Sequence, residues 1–122
     1  MSSRPVLDRD HISEAARAKT AGYHRETVDE VIDAIQTHDV VVVGMGWNPH
    51  VAKARQALDE AGVSHKYLEY GTYASGWRDR LAIKLWSGWP TFPQVFVKGT
   101  LIGGNRLLRE AISAGDVQQM LA

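Results

Sequence analysis

The sequence predicts an α/β fold: a four-stranded mixed sheet flanked by helices, with a helical extension at the N-terminus. The run V-V-V-V-G-M at residues 40–45 is short and β-branched, which is typical of a strand buried on both faces. Two further runs, 94–97 and 100–102, are joined by Lys98-Gly99, which predicts a tight hairpin. Helical stretches separate the first strands, so we expect a parallel pair with a right-handed crossover, extended by the antiparallel hairpin.

The N-terminal part of the chain is polar and has no clear apolar face. Residues 15–21 are compatible with a short helix, and we expect residues 1–24 to form an arm or a loosely docked helix. A convincing helix is predicted from Thr27, because Thr27 and Glu30 have the spacing of a capping box. Its apolar residues follow helical spacing and are Val28, Val31, Ile32 and Ile35.

A clear helix start follows the first strand. Asn48 is a good N-cap, Pro49 suits the first helical position, and Gly62 supplies a left-handed stop. Small and aliphatic residues lie near one face of this helix, namely Val51, Ala54, Leu58 and Ala61. Residues 65–70 are predicted to form the second strand.

Two more helices complete the prediction. The first is capped by Ser75 and ends at Gly88, with three residues facing inward: Leu81, Leu85 and Trp86. The second is capped by Asn105 and closed by Gly115, and it carries Leu107, Leu108, Ala111 and Ile112. A short turn over 116–121 ends the chain.

Composition excludes several classes of function. Lysine plus arginine and aspartate plus glutamate balance at 14 each, so no global field favours nucleic acid or an anionic membrane. The chain has no cysteine, which removes disulfides, thiolate nucleophiles and thiolate–metal sites. No apolar run reaches membrane-spanning length, and the polar start lacks the apolar core of a secretory signal. We therefore expect a cytoplasmic protein.

The segment W-P-T-F-P-Q-V-F-V-K-G-T-L-I-G-G, residues 89–104, carries the strongest resemblance. It resembles the C-terminal half of a glutaredoxin, and the monothiol branch in particular. The order of predicted elements is likewise the thioredoxin-type arrangement of that family. The resemblance extends from about Thr27 to the end of the chain, so a glutaredoxin-like domain is expected over 25–122.

The resemblance implies a glutathione site. Its binding residues would include the Thr91-Phe92-Pro93 turn, whose proline the family holds cis, leaving the Phe92 backbone N–H and C=O facing a pocket. The pair Gly103 and Gly104 allows close backbone approach and opens onto a helix N-terminus at Asn105, where the γ-glutamyl carboxylate would be favoured.

A second motif, R-L-A-I-K-L-W-S-G-W-P-T, resembles the monothiol pattern as well. In that branch the positions of Arg80 and Lys84 contact the glycyl carboxylate of glutathione. Their spacing of four also places both on one helix face, where two cations can converge on one anion. A solvated helix face is the competing interpretation.

The departures from the family are specific. Asn48 falls on the nucleophilic cysteine and Val51 on the resolving position, so no mixed disulfide can form. The cysteine that helps the family bridge a [2Fe–2S] cluster is missing too, and we expect neither metal nor cluster. Gly46 replaces a family lysine, and Arg106 replaces an aspartate that contacts the γ-glutamyl end. This charge reversal weakens recognition of an amine and strengthens recognition of a carboxylate.

Two residues beside position 48 have open interpretations. His50 lies in the first helical turn, where it is either an exposed residue or a substitute base or ligand. The five histidines of the chain show no metal-ligand spacing. Trp47 is predicted to cover the pocket, to anchor a partner or to pack in the core.

The leading hypothesis is a redox-inactive glutaredoxin-like protein that binds glutathione or an extended peptide or protein segment in the Thr-x-Pro/Gly-Gly groove. One alternative is a role in iron–sulfur or redox homeostasis through a partner, since monothiol relatives pair with BolA-type proteins. Another is a non-redox, glutathione-dependent enzyme that uses His50. The sequence leaves open whether the protein catalyses a reaction.

Overall fold

The computed structural model describes residues 4–122, so the expectations for residues 1–3 lie outside it. After a short 3-10 helix at Arg9–His11, the elements are α1 (Glu14–Gly22), α2 (Arg25–Thr37), β1 (Val40–Gly44), α3 (Pro49–Glu60), β2 (Lys66–Glu69), α4 (Trp77–Ser87), β3 (Gln94–Val97), β4 (Thr100–Gly103), α5 (Asn105–Ser113) and α6 (Asp116–Leu121). Within residues 4–122, none of these helices combines the length and the apolar character needed to cross a membrane.

The four strands form one mixed sheet in the order β2-β1-β3-β4. Strand β1 pairs parallel with β2 and antiparallel with β3, and β3 pairs antiparallel with β4. The hairpin between β3 and β4 turns through Lys98 at φ 50° and Gly99 at φ 78°, the two left-handed positions that a two-residue turn requires. The predicted fold class is therefore confirmed.

Strand β1 is buried along its whole length, as its composition predicts. Because side chains alternate along a strand, Val41 and Val43 face one apolar cluster with α2 and α4, whereas Val40 and Val42 face another with α3, α5 and α6. The two clusters make β1 the common centre of both helical layers.

A close approach at Gly44 determines how the chain leaves β1. A Cβ atom at Gly44 would lie 2.7 Å from Cγ1 of Val51 and 3.0 Å from Cε1 of Tyr67. Glycine thus lets the first turn of α3 and the neighbouring strand β2 pack directly against the end of β1. Helix α3 begins as predicted, with Asn48 as its N-cap and Pro49 at the first position.

The predicted start of α2 is wrong. The helix begins two residues earlier, after His24 in the left-handed conformation at φ 44°, and no side chain caps it. The Thr27 hydroxyl instead donates a 2.7 Å hydrogen bond to Oδ1 of Asp79, which His24 Nδ1 also approaches at 3.0 Å. The Thr27 hydrogen bond is the largest effect that lowers the pKa of Asp79. These contacts join α2 to the first turn of α4.

The predicted inward face of α4 is also wrong. Leu81, Leu85 and Trp86 are 36%, 56% and 40% exposed, and the buried residues are Arg80, Ala82 and Ile83. The cap is Gly76 at φ 74°, not Ser75, and no side chain caps the helix. Its end at Gly88, φ 77°, is as predicted.

Helix α5 and its cap each begin one residue earlier than predicted. Gly104 is the N-cap, since its carbonyl accepts the Leu108 N–H at 3.0 Å, and Asn105 is the first helical residue. Leu108 is buried, but Leu107 is 42% exposed. The polar N-terminal region contains α1, which is capped by Ser13 and has no buried residue. The boundary at residue 25 stays a prediction.

We expect Gly44→Ala to lower the free energy of unfolding by about 1–3 kcal/mol, because the added methyl group overpacks against the stiff, β-branched Val51. Denaturant unfolding followed by circular dichroism measures the change. Gly22→Ala is the matched control, since a Cβ there meets nothing within 4 Å and its stability should stay equal or rise. Equal effects of the two substitutions would contradict the close packing at Gly44.

Candidate ligand-binding groove

A groove of about 1130 Å³ opens beside the end of β1. It is bounded by the first turn of α3, the turn before β3 and the exposed face of α5. We call this feature the groove, and its lining residues are His50, Trp89, Thr91, Phe92, Pro93, Gly104, Asn105, Arg106, Leu107, Arg109, Glu110, Ser113 and Ala114. Five residues predicted from the sequence meet here: Thr91, Phe92, Pro93, Gly104 and Asn105.

The Thr91-Phe92-Pro93 turn has the predicted backbone. The Phe92–Pro93 peptide bond is cis, both residues are buried, and Thr91 is exposed. Fully buried Gln94 supports the turn by donating from Nε2 to the Trp89 carbonyl at 3.0 Å. Sequence reasoning missed Gln94, because a glutamine at the start of a strand carries no signal that distinguishes it from a surface residue.

The two glycines at the end of β4 admit the Trp89 indole. A Cβ at Gly103 would lie 3.3 Å from Cη2 of Trp89 and 2.7 Å from Cδ1 of Leu107. A Cβ at Gly104 would lie 3.6 Å from the Pro93 carbonyl oxygen and 3.7 Å from Nε1 of Trp89. Trp89 is thus a wall of the groove. Its Nε1 and the Oδ1 of Asn105 are buried with no hydrogen-bond partner among the described residues.

Asn48 links the start of α3 to the turn before β3. Its Oδ1 accepts hydrogen bonds from the N–H groups of His50 at 2.9 Å and Val51 at 3.4 Å, which caps α3. Its Nδ2 donates to the Phe92 carbonyl at 3.4 Å. The carbonyl that the resemblance leaves facing the pocket is therefore already in contact with the side chain at the family's nucleophile position.

Arg80 and Lys84 do not line the groove. The side chain of Arg80 is buried, and its Nη1 donates to the carbonyls of Tyr70 at 2.9 Å and Ser75 at 2.6 Å. Nζ of Lys84 lies 5.7 Å from the centroid of the Phe92 ring. The structure therefore does not bring the two cations together on one open surface, and their contact with a ligand carboxylate stays a prediction.

The α5 side of the groove carries exposed charge. Arg106 forms an exposed i,i+4 ion pair with Glu110, with Nε 3.2 Å from Oε1. Arg109 is exposed and has no salt-bridge partner among residues 4–122. The position where the family has an aspartate is thus occupied by a cation at the rim of the groove.

His50 and Trp47 lie on either side of Asn48. His50 is exposed and lines the groove. Trp47 is 72% exposed in the left-handed conformation at φ 64°, which removes core packing from its three interpretations. The Gly46 N–H before it donates to the Gly71 carbonyl at 2.8 Å. No group of three histidine, aspartate or glutamate side chains in the described part of the chain is placed to hold a metal ion.

Comparison with known proteins places these residues in a family. The family model Glutaredoxin matches residues 40–102. A glutaredoxin-like protein of Dictyostelium discoideum is 57% identical over 82 residues, which are 67% of this chain and 67% of that protein. A probable monothiol glutaredoxin of Legionella pneumophila is 36% identical over 70 residues, or 57% of this chain and 75% of that one.

Solved structures agree at the level of fold. A buckwheat glutaredoxin–glutathione complex superposes with a TM-score of 0.70 at 22% identity, covering 80% of this chain and 88% of that one. At this identity the likeness shows the thioredoxin-like glutaredoxin fold.

We expect Arg80→Met to lower the free energy of unfolding by about 1–3 kcal/mol, because the carbonyls of Tyr70 and Ser75 lose their donor. Arg78→Met is the control: Arg78 is exposed, stacks over the Trp77 ring at 4.5 Å, and should cost less than about 1 kcal/mol. Thermal and denaturant unfolding measure both variants. If Arg80→Met left the free energy of unfolding unchanged, the hydrogen bonds from Arg80 to Tyr70 and Ser75 would not stabilise the loop before α4.

Asn48→Ala should cost about 1 kcal/mol of stability through loss of the α3 cap. Asn48→Ser keeps a capping oxygen but removes the donor to the Phe92 carbonyl, so its stability should stay close to that of the parent chain. Denaturant unfolding of the three proteins measures the difference. If serine were as costly as alanine, the Phe92 contact and not the cap would carry the stabilisation.

Proposed function

The chain belongs to the glutaredoxin family, and we propose that it is a redox-inactive member that holds glutathione or an extended peptide in the groove. One observation carries the proposal. Five residues that the family likeness implies for glutathione binding line the groove together, namely Thr91, Phe92, Pro93, Gly104 and Asn105, whereas position 48 carries an asparagine that caps α3.

Four observations support glutathione as a ligand of the groove. Its volume of about 1130 Å³ accommodates a tripeptide, and the cis-proline turn presents backbone to it. The first turn of α5 has N–H groups without intrahelical partners, which favour a carboxylate. The buckwheat relative was solved with glutathione. The Asn48 contact to the Phe92 carbonyl is long at 3.4 Å, so a ligand N–H could displace it.

The chemistry of position 48 supports a binding role over a redox role. Thiol–disulfide exchange requires a thiolate that attacks a disulfide sulfur, and the chain has no cysteine. A carboxamide neither ionises nor forms a mixed disulfide. The same replacement does not fit an iron–sulfur cluster ligated at this position, because the cluster needs a thiolate there. A partner-dependent role in iron–sulfur or redox homeostasis rests on the family likeness alone.

A second candidate function is a non-redox enzyme that acts on bound glutathione. The observation that favours it is His50, an exposed imidazole that lines the groove in the first turn of α3. Histidine is suited to general acid–base work near neutral pH. His50→Ala separates the two candidates, because it should leave ligand binding in place and abolish only a reaction that needs the imidazole.

Calorimetric titration of the full chain with reduced glutathione tests the binding proposal, and a glutathione mixed-disulfide substrate tests for redox activity. We expect no turnover by the parent chain and measurable thiol reactivity in Asn48→Cys, which places a thiol at a helix N-terminus. Asn48→Ser is the matched control without a thiol. Turnover by the parent chain would remove the redox-inactive assignment.

A separate result would contradict the proposal that the groove binds a ligand. The groove is not a binding site if titration with glutathione and with short peptides releases no heat of binding and shifts no backbone resonance of a groove residue. Gly104 and His50 are suitable probes, because both line the groove and they belong to different parts of the chain.

A further inference from the structure

We infer that the physiological ligand of the groove is an extended peptide segment that carries acidic side chains beside an apolar residue, and that glutathione is a weak ligand. The inference rests on the proposed function, since it assumes that the groove is the binding site. It assigns the exposed face of α5, of which the glutathione prediction uses only the first turn, as the part that selects the ligand.

The charge on the α5 side of the groove favours an acidic ligand. Arg106 and Arg109 are three residues apart in α5, so their side chains lie on one helix face, and both line the groove. Glu110 is the one acidic residue of the lining, and it is paired with Arg106 at 3.2 Å. An exposed i,i+4 pair of this kind contributes little free energy, so Arg106 can exchange Glu110 for a ligand carboxylate at low cost. The rim is therefore cationic.

The same charges disfavour a ligand ammonium group. The γ-glutamyl end of glutathione carries an ammonium group next to its carboxylate, and like charges at close range repel each other. Arg106 follows directly after Gly104 and Asn105, in the first turn of α5. A carboxylate without a neighbouring ammonium group, as in an aspartate or glutamate side chain within a peptide, has no such penalty.

Length is the second argument. The groove continues along α5 as far as Ser113 and Ala114. Nine helical residues, from Asn105 to Ser113, span about 13 Å, whereas an extended peptide advances about 3.3 Å per residue. About four ligand residues therefore lie along this helix, in addition to those beside the cis-proline turn. The volume of about 1130 Å³ also exceeds the upper end of ordinary small-ligand pockets, about 1,000 Å³.

An apolar strip is the third argument. Leu107 is 42% exposed, and it lies against the Gly103 position that also receives the Trp89 indole. Trp89, Leu107 and the exposed Ala114 all line the groove, so apolar surface lies next to the two arginines. A ligand that covers this strip gains by burying an apolar side chain while its acidic neighbours reach the rim.

The test uses the full chain labelled with nitrogen-15 and three probes: a capped hexapeptide that combines leucine with glutamate, the same peptide with glutamine for glutamate, and reduced glutathione. We expect the acidic peptide to shift the resonances of His50, Leu107 and Arg109, and to bind about tenfold or more tightly than either other probe. Its affinity should fall with added salt.

Variants assign the effect to the rim. Arg106→Gln with Arg109→Gln should reduce binding of the acidic peptide about tenfold or more and leave the glutamine peptide unchanged. Arg17→Gln with Lys19→Gln is the matched control: it removes the same charge from exposed positions in α1, outside the groove, and should bind like the parent chain. Circular dichroism checks that both variants fold.

The outcomes separate the two proposals. If glutathione or the glutamine peptide binds the groove as tightly as the acidic peptide, or if the rim variant binds like the control, this inference is wrong and the proposed function stands. If none of the three probes shifts a groove resonance, the proposed function fails and this inference fails with it.

Discussion

The close contact at Gly44 is the constraint on which the site depends. Strand β1 is buried on both faces, and its last residue has no side chain, so Val51 and Tyr67 pack against its backbone. Helix α3 can therefore begin within a few residues of the sheet. The first turn of α3, with its cap Asn48 and the groove residue His50, is placed by that contact.

Asn48 shows how a reactive position becomes a structural one. The N-terminus of a helix needs an acceptor for its unpaired N–H groups, and a carboxamide supplies it with one oxygen while its nitrogen reaches across to the Phe92 carbonyl. The geometry that would stabilise a thiolate serves equally well to hold an amide. Asn48, which cannot act as a thiol nucleophile, thus links α3 to the cis-proline turn.

The sequence predicted the parts of the fold that are determined locally. Local sequence determines three of these parts: the strand of four valines, the helix start at Asn48-Pro49 and the turn at Lys98-Gly99. Each lies where it was expected. The caps predicted at Thr27, Ser75 and Asn105 were wrong. The N-cap positions are instead occupied by residues in left-handed or extended conformation, namely His24, Gly76 and Gly104.

The prediction of the inward face of α4 was wrong because of a tertiary contact. Periodicity assigns leucines to the core, but Arg80 is buried instead, because its partners are backbone carbonyls of the loop that precedes the helix. A side chain that reaches a loop of unknown conformation leaves no signal in the sequence. At the groove, the turn residues Thr91 to Pro93 and the position of Arg106 were predictable by likeness. The support of the turn by Gln94 and the place of Arg109 in the lining came only from the structure.

The absence of a thiol at position 48 also changes how this position reacts with oxidants. A thiolate at a helix N-terminus is oxidised readily through sulfenic acid to irreversible products, whereas a carboxamide is inert to that sequence of reactions. The sulfur atoms of this chain belong to three methionines, and the one beside the site, Met45, is only 6% exposed. Oxidation of a cysteine nucleophile therefore has no counterpart at position 48 of this chain, where the side chain is the carboxamide of Asn48.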